Sequence, residues 1–212
     1  MKKSDILDKL GKKEIKAEEI AEEIENSGFL PEILNGISSE NPRVRFKSAK
    51  ILRIVSEQNP EMLYSKMDSF IRLLDSENNI LKWNAMDIIA NLTLVDSENK
   101  FDEIFEKYYG LLSDESMVTA GHVADNSGKI AKAKPYLQNK ITTELLKIES
   151  IPRGQECKNI LLGKVILSFG QYIDQVKNKE KIISLAKRQL NNTRNATKKK
   201  AEKFLIKIEN RK

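Results

Sequence analysis

An all-α chain is what the sequence predicts: a right-handed α-α superhelix, or solenoid, of about five helix pairs with an N-terminal capping helix. Three observations carry this. Helix-start signals recur at a nearly constant interval, apolar residues inside each interval fall at helical spacing, and segments one interval apart align with one another. No Pro/Gly-rich linker divides the chain, so residues 1–212 are expected to form one domain. It would comprise a cap (1–27) and pairs over approximately 28–58, 59–96, 97–133, 134–177 and 178–212.

In chain order, Ser4 to Asn26 reads as a single acidic amphipathic helix with Ile15, Ile20, Ala21 and Ile24 on its apolar side. The run Glu18, Glu19, Glu22, Glu23 and Glu25 supplies the polar outer face that a terminal unit of a solenoid needs, and reads equally as an ordinary solvated face. Asn41-Pro42 is an N-cap followed by Pro at the first helical position, where its missing N–H costs nothing; Asn59-Pro60 reads the same way. The second helix of each pair is expected to begin near Pro42, Asn79, Ser116, Arg153 and Thr193, at spacings of 37, 37, 37 and 40. First helices are expected near Gly28, Pro60, Glu98, Pro135 and Asn178.

A shift of 37 lays Ile37–Val55 over Leu74–Leu92. It pairs Val44 with Leu81, Arg45 with Lys82, Phe46 with Trp83, Ser48 with Ala85, Ile51 with Ile88, Leu52 with Ile89 and Val55 with Leu92. Small residues at a shared slot are how two helices approach closely. A third copy, Leu111 to Ala131, aligns with one extra residue, placing Asp87 over Asp125 and Leu92 over Ile130.

These residues resemble the second-helix pattern of HEAT repeats. The match is clearest in Asn41-Pro42-Arg43-Val44-Arg45 with Ala49 and Leu52, and in Leu81-Lys82 with Ala85 and Ile89. The resemblance covers about Gly28 to Asn210. It implies an armadillo-like helical-repeat fold used for scaffolding, transport or nucleic-acid-associated roles. The third copy departs from it, with Ala120-Gly121 where the family has a basic residue.

Composition mainly excludes. There are 37 Lys and Arg against 31 Asp and Glu, one Cys and one His. Cys157 alone makes no internal disulfide, and with His122 it cannot assemble the usual zinc site. The longest uncharged runs, such as Val165 to Ile173, are about half of what crosses a bilayer. The N-terminus has no apolar region behind its basic start, so no signal peptide is expected. A cytoplasmic monomer, without membrane association, metal or cofactor, is the expectation. The net +6 is uneven: 24 acids face 17 bases up to Ile130, and 20 bases face 7 acids beyond it. Such a split points to an anionic partner for the basic half or to head-to-tail self-contact.

No nucleophile beside a base and no Gly-rich phosphate loop is visible, so a non-catalytic chain is expected. Three constellations remain. His122, Asp125 and Asn126 lie on the third pair's second helix, where polar residues occupy slots the pattern reserves for core. They either line a concave groove or form an internal network. Trp83 and Asp87, four apart, are similar in spacing to the Trp and Asp of a HEAT-like family of alkylpurine DNA glycosylases. That resemblance would imply base excision, yet the next second helix brings neither an Arg nor an aromatic. The last helix carries Lys199, Lys203, Lys207 and Arg211 in i, i+4 succession beside an apolar stripe of Thr197, Ala201, Leu205 and Ile208. With Arg194 and Lys198 these bases form a phosphate-tracking stripe or a solvated cap. The leading expectation is a scaffold that binds another protein through Trp83, Asp87, His122, Asp125 and Asn126. The alternatives are sequence-independent DNA or RNA binding by the basic half, and the glycosylase reading.

Overall fold

The computed structural model describes residues 4–176 and 179–210, and among these every regular element is helical. The chain forms two compact units, residues 1–104 and 105–212, the division falling inside the segment expected to be the third pair.

The first unit contains α1 (Ser4–Gly11), α2 (Ala17–Ser27), α3 (Leu30–Gly36), α4 (Pro42–Gln58), α5 (Glu61–Tyr64), α6 (Met67–Arg72), α7 (Asn79–Leu92) and α8 (Lys100–Glu103). Helix α4 is its hub, packing on α1, α2, α3 and α7, while α6 packs on α7. Asn41 accepts the Arg43 N–H at 3.0 Å, and Asn78 accepts those of Ile80 and Leu81 at 3.1 and 3.2 Å. These Asx caps with Pro42 set both starts at the expected residues. Val44, Ile51, Leu52 and Val55 of α4 are buried, and sealing each such side chain from water contributes roughly 1.5–3 kcal/mol. Asp96 is buried yet satisfied, accepting from Tyr64 Oη at 2.9 Å and from the Lys100 and Phe101 N–H groups at 2.9 and 3.0 Å.

The single capping helix expected over Ser4 to Asn26 is corrected to two helices. The chain turns after Gly11, and the freed carbonyls are taken by α4: Gly11 accepts from Arg43 Nη1 at 3.4 Å and Lys12 accepts from Lys47 Nζ. Ile15 falls in this turn, and Ala17, Ile20, Ala21 and Ile24 form the buried face of α2. Gly28, at φ 68°, supplies the left-handed residue that ends α2.

The second unit contains α9 (Phe105–Gly110), α10 (Met117–Ala133), α11 (Gln138–Leu146), α12 (Gln155–Tyr172), α13 (Glu180–Arg188) and α14 (Asn195–Glu209). Helix α12 packs between α10 and α14, and α13 packs on both α11 and α14. Ser116 caps α10 by accepting the Thr119 N–H at 3.3 Å. Two expected starts move: α12 begins at Gln155 instead of Arg153, and α14 at Asn195 instead of Thr193. Arg153 is drawn out of the helix because its guanidinium binds the Leu112 carbonyl at 2.9 Å and that of Asp114. Asn178, the expected start before α13, lies outside the described residues.

One turn recurs ahead of these helices. Ser39, Ser76, Asp114 and Asn192 each accept the N–H two residues on, at 3.2, 3.1, 2.8 and 2.8 Å.

The helices approach where side chains are missing. A Cβ on Gly36 would overlap Ser48 Oγ and lie 3.0 Å from Ser48 Cβ on α4. In the second unit, a Cβ on Gly163 would stand 2.9 Å from Thr197 Oγ1, whose hydroxyl is held by a 2.7 Å bond to the Asn159 carbonyl. Gly110 meets nothing within 4 Å. Gly36→Ala and Gly163→Ala are therefore expected to destabilise by about 1–3 kcal/mol, and Gly110→Ala to be neutral or slightly stabilising. Urea denaturation followed by circular dichroism checks all three.

Candidate binding surfaces

The five residues expected to present a protein-binding face fall in both units. Trp83 and Asp87 are half-buried on α7, in the first unit. His122, Asp125 and Asn126 are on α10, in the second, and divide between surface and interior. His122 is half-buried, and exposed Asp125 pairs with Lys164 of α12.

Asn126 requires a correction. It is 8% exposed and donates from Nδ2 to Tyr108 Oη at 3.2 Å, so it belongs to the interior. The polar residues in core slots are part of a buried set. Ser127 donates to the Val123 carbonyl at 2.7 Å, and Thr142 Oγ1 and Tyr172 Oη share a bond of 3.1 Å. Tyr109 lies in the same interior, stacked on Phe105 with ring centroids 4.5 Å apart, and its hydroxyl has no hydrogen-bond partner among the described residues. Burial pushes both the Tyr109 and the Tyr172 hydroxyls up from the ordinary tyrosine value.

The basic half also sorts into two groups. Lys140 pairs with Glu106 at 2.9 Å and sits 4.0 Å from the Phe105 ring centroid. Arg188 grips both Glu149 carboxylate oxygens at 3.0 and 2.6 Å. Arg194 pairs with Glu156, and Lys134 is buried with its ammonium 2.8 Å from Tyr136 Oη. Arg194, of the expected phosphate-tracking set, thus carries an exposed ion pair with Glu156. Lys198, Lys199, Lys203 and Lys207 are exposed on α14, Lys200 is half-buried, and no acidic residue among the described ones pairs with any of these five. Arg211 lies outside the described residues.

Three of these lysines border a groove of about 410 Å³ between α12 and α14 that the sequence did not reveal. Its floor is Ile166, Leu167 and Phe204; Lys200, Lys203 and Lys207 stand on one side and Gln171 on the other. Phe204 is 6% exposed and anchors α14, while Leu167 is 50% exposed.

Glycines shape this seam. Gly121 and Gly128 on α10 are covered by Lys164 and Gln171 of α12, their would-be Cβ atoms 3.3 Å from Lys164 Cε and 2.5 Å from Gln171 Cδ. On α12, Gly163 is covered by Thr197 Oγ1 at 2.9 Å and Lys200 Cδ at 3.3 Å, and Gly170 by the Phe204 ring, 3.6 Å away at Cδ2, while Lys207 Nζ lies 3.4 Å from the Gly170 carbonyl. The spacing of seven within each glycine pair is the signal that the sequence carries for these seams.

Among the described residues no group of three His, Cys, Asp or Glu is placed to hold a metal ion, and no helix is long and apolar enough to cross a membrane. An open hollow of about 500 Å³ in the first unit lies between α3 and α6, bordered by Leu34, Ile37, Lys66 and Arg72.

No family model and no curated protein matches the chain. Among solved structures it is similar to a crystal structure of an engineered protein from the Northeast Structural Genomics Consortium, at 15% identity and a TM-score of 0.56, over 97% of this chain and 88% of that one. At this identity the likeness is one of fold.

The buried tyrosines make a checkable contribution. A hydroxyl buried without a partner costs about 1–3 kcal/mol, so Tyr109→Phe is expected to be neutral or stabilising and Asn126→Leu, which breaks a made bond, destabilising. Because their folded pKa values are raised, the tyrosines' contribution is full below pH ~10, where the unfolded chain's tyrosines are also neutral, and falls as pH rises beyond it. Denaturation midpoints from pH 8 to 11 should drop, and drop less in Tyr109→Phe.

Proposed function

We propose that this chain is a non-catalytic binding protein of HEAT-like repeats. Its cap and about five helix pairs wind into a right-handed superhelix whose second helices, α4, α7, α10, α12 and α14, face a protein partner. What supports the repeat reading is the separation of the side-chain bonds within each unit. Asn91 bonds Ser56 at 2.9 Å, Gln138 bonds Gln175 at 2.8 Å and Arg188 bonds Glu149 at 2.6 Å, joining residues 35, 37 and 39 apart, close to one period. Among the described residues every regular element is helical, as the reading requires.

The observation that carries the binding assignment is the α12–α14 groove: half-exposed Leu167 lies on an apolar floor, beside lysines that have no acidic partner within the described chain. Trp83, Asp87, His122 and Asp125 remain candidates for further contact, and Asn126 is withdrawn. A second reading, sequence-independent binding of DNA or RNA, is favoured by the same unanswered lysines, joined by Lys198 and Lys199.

A photo-reactive residue placed at Leu167, in the cells that make the protein, separates these readings. The expected product survives nuclease, is destroyed by protease, and is lost when Lys200, Lys203 and Lys207 are all changed to Glu. A product removed by nuclease assigns the groove to nucleic acid, and the absence of any product overturns binding there.

A further inference from the structure

We infer that the α12–α14 groove receives an acidic amphipathic helix of a partner protein, an assignment that rests on the protein-binding reading and names the partner's chemistry. Lys200, Lys203 and Lys207 lie at i, i+3 and i+7 on α14, spanning about 10 Å along the helix at 1.5 Å per residue. One carboxylate or one phosphorylated headgroup answers one of these charges. A helix with acids at i, i+3 or i+4, and i+7 has the same rise and meets all three.

The apolar floor decides between the polyanions. Leu167 is 50% exposed beside the lysines, and a phosphate backbone brings nothing to cover it. Phe204 is 6% exposed, so no aromatic of the floor is free to stack on a base. An amphipathic helix laid in a groove covers such residues with its apolar side while its acids reach the rim.

Among the described residues no acid answers these lysines. Asp125 pairs with Lys164, Glu149 with Arg188 and Glu156 with Arg194, and Glu202 and Glu209 of α14 itself form no ion pair with the three lysines. A second copy could offer α2, where Glu19, Glu22 and Glu23 are exposed. The apolar side of α2, Ile20, Ala21 and Ile24, is already buried in its own unit, leaving only carboxylates for the groove.

The test uses the full-length protein and a fluorescent, helix-forming peptide of ~16 residues carrying Glu at i, i+3 and i+7 beside a Leu stripe. Three controls accompany it: the peptide with Lys for every Glu, the peptide with Ser for every Leu, and a duplex DNA of equal charge. The acidic peptide should bind at micromolar concentration, and both peptide controls should bind at least tenfold more weakly. Lys200→Glu/Lys203→Glu/Lys207→Glu should lose the acidic peptide and gain the Lys peptide, a swap that a damaged fold would not produce. Leu167→Gln should weaken binding severalfold with the helical circular dichroism unchanged. Equal binding and competition by the DNA, or self-association in sedimentation that the peptide dissolves, would overturn the inference in favour of nucleic acid or a second copy. No binding of the acidic peptide while the Leu167 cross-link still captures a protein would overturn it and leave the protein-binding reading standing; loss of both would remove both.

Discussion

Close helix-on-helix approach across missing side chains is the constraint on which the second unit depends. Gly121 and Gly128 let α12 lie against α10, and Gly163 and Gly170 let α14 lie against α12, each pair two turns apart on one face. The space is occupied by larger side chains in place of a β-carbon: Lys164 and Gln171 over the first pair, Thr197, Lys200 and Phe204 over the second. The long polar ones bury their methylene stems and leave the polar ends at the surface. Helix packing and surface charge are thus set by the same residues. The first unit uses the same device once, at Gly36 against Ser48.

The cover differs between the two seams. Lys164 is answered by Asp125, so the α10–α12 seam is close to neutral. Lys200 and Lys207 have no such answer among the described residues, and Lys203 stands between them. Other long-range pairs of the unit, Lys140 with Glu106, Arg188 with Glu149 and Arg194 with Glu156, are mostly exposed and worth about 0–1 kcal/mol each. Each sets one base against one acid at a fixed place, whereas the lysines of α14 have no acidic partner among the described residues. A net charge of +6 over the chain therefore describes the surface poorly.

What the sequence made legible follows from how local each signal is. Asn41-Pro42 and Asn78 act on their own helix, through bonds reaching two or three residues, and the starts of α4 and α7 fall where expected. Arg153 failed as a marker because its guanidinium answers carbonyls about 40 residues back, at Leu112 and Asp114. The break after Gly11 depends on Arg43 and Lys47 in the same way. The polar slots of α10 announced an anomaly, but whether Asn126 faced out or in turned on Tyr108, a residue of another helix. On α14 the expected stripe of Thr197, Ala201, Leu205 and Ile208 omitted Phe204, whose ring closes against Gly170. The groove needed both glycine pairs and their covers to be aligned, a correlation between helices that no single-helix pattern contains.

Lysine is a suitable cation for the role proposed for this groove. A guanidinium holds a carboxylate in a fixed planar fork, whereas an ammonium on a four-carbon stem is a point charge that adjusts its position. In this chain arginine serves the fixed internal links, as with Arg153 on its turn and Arg188 on Glu149, and lysine borders the open groove. On that reading the lysine row governs how fast an acidic partner arrives and how strongly salt slows it, because exposed charges act chiefly on encounter. Residence would then be governed by the apolar contact at Leu167, which salt does not screen. The two halves of the interaction are separable in kind: removing charge should act on association and its salt dependence, and removing apolar surface on dissociation.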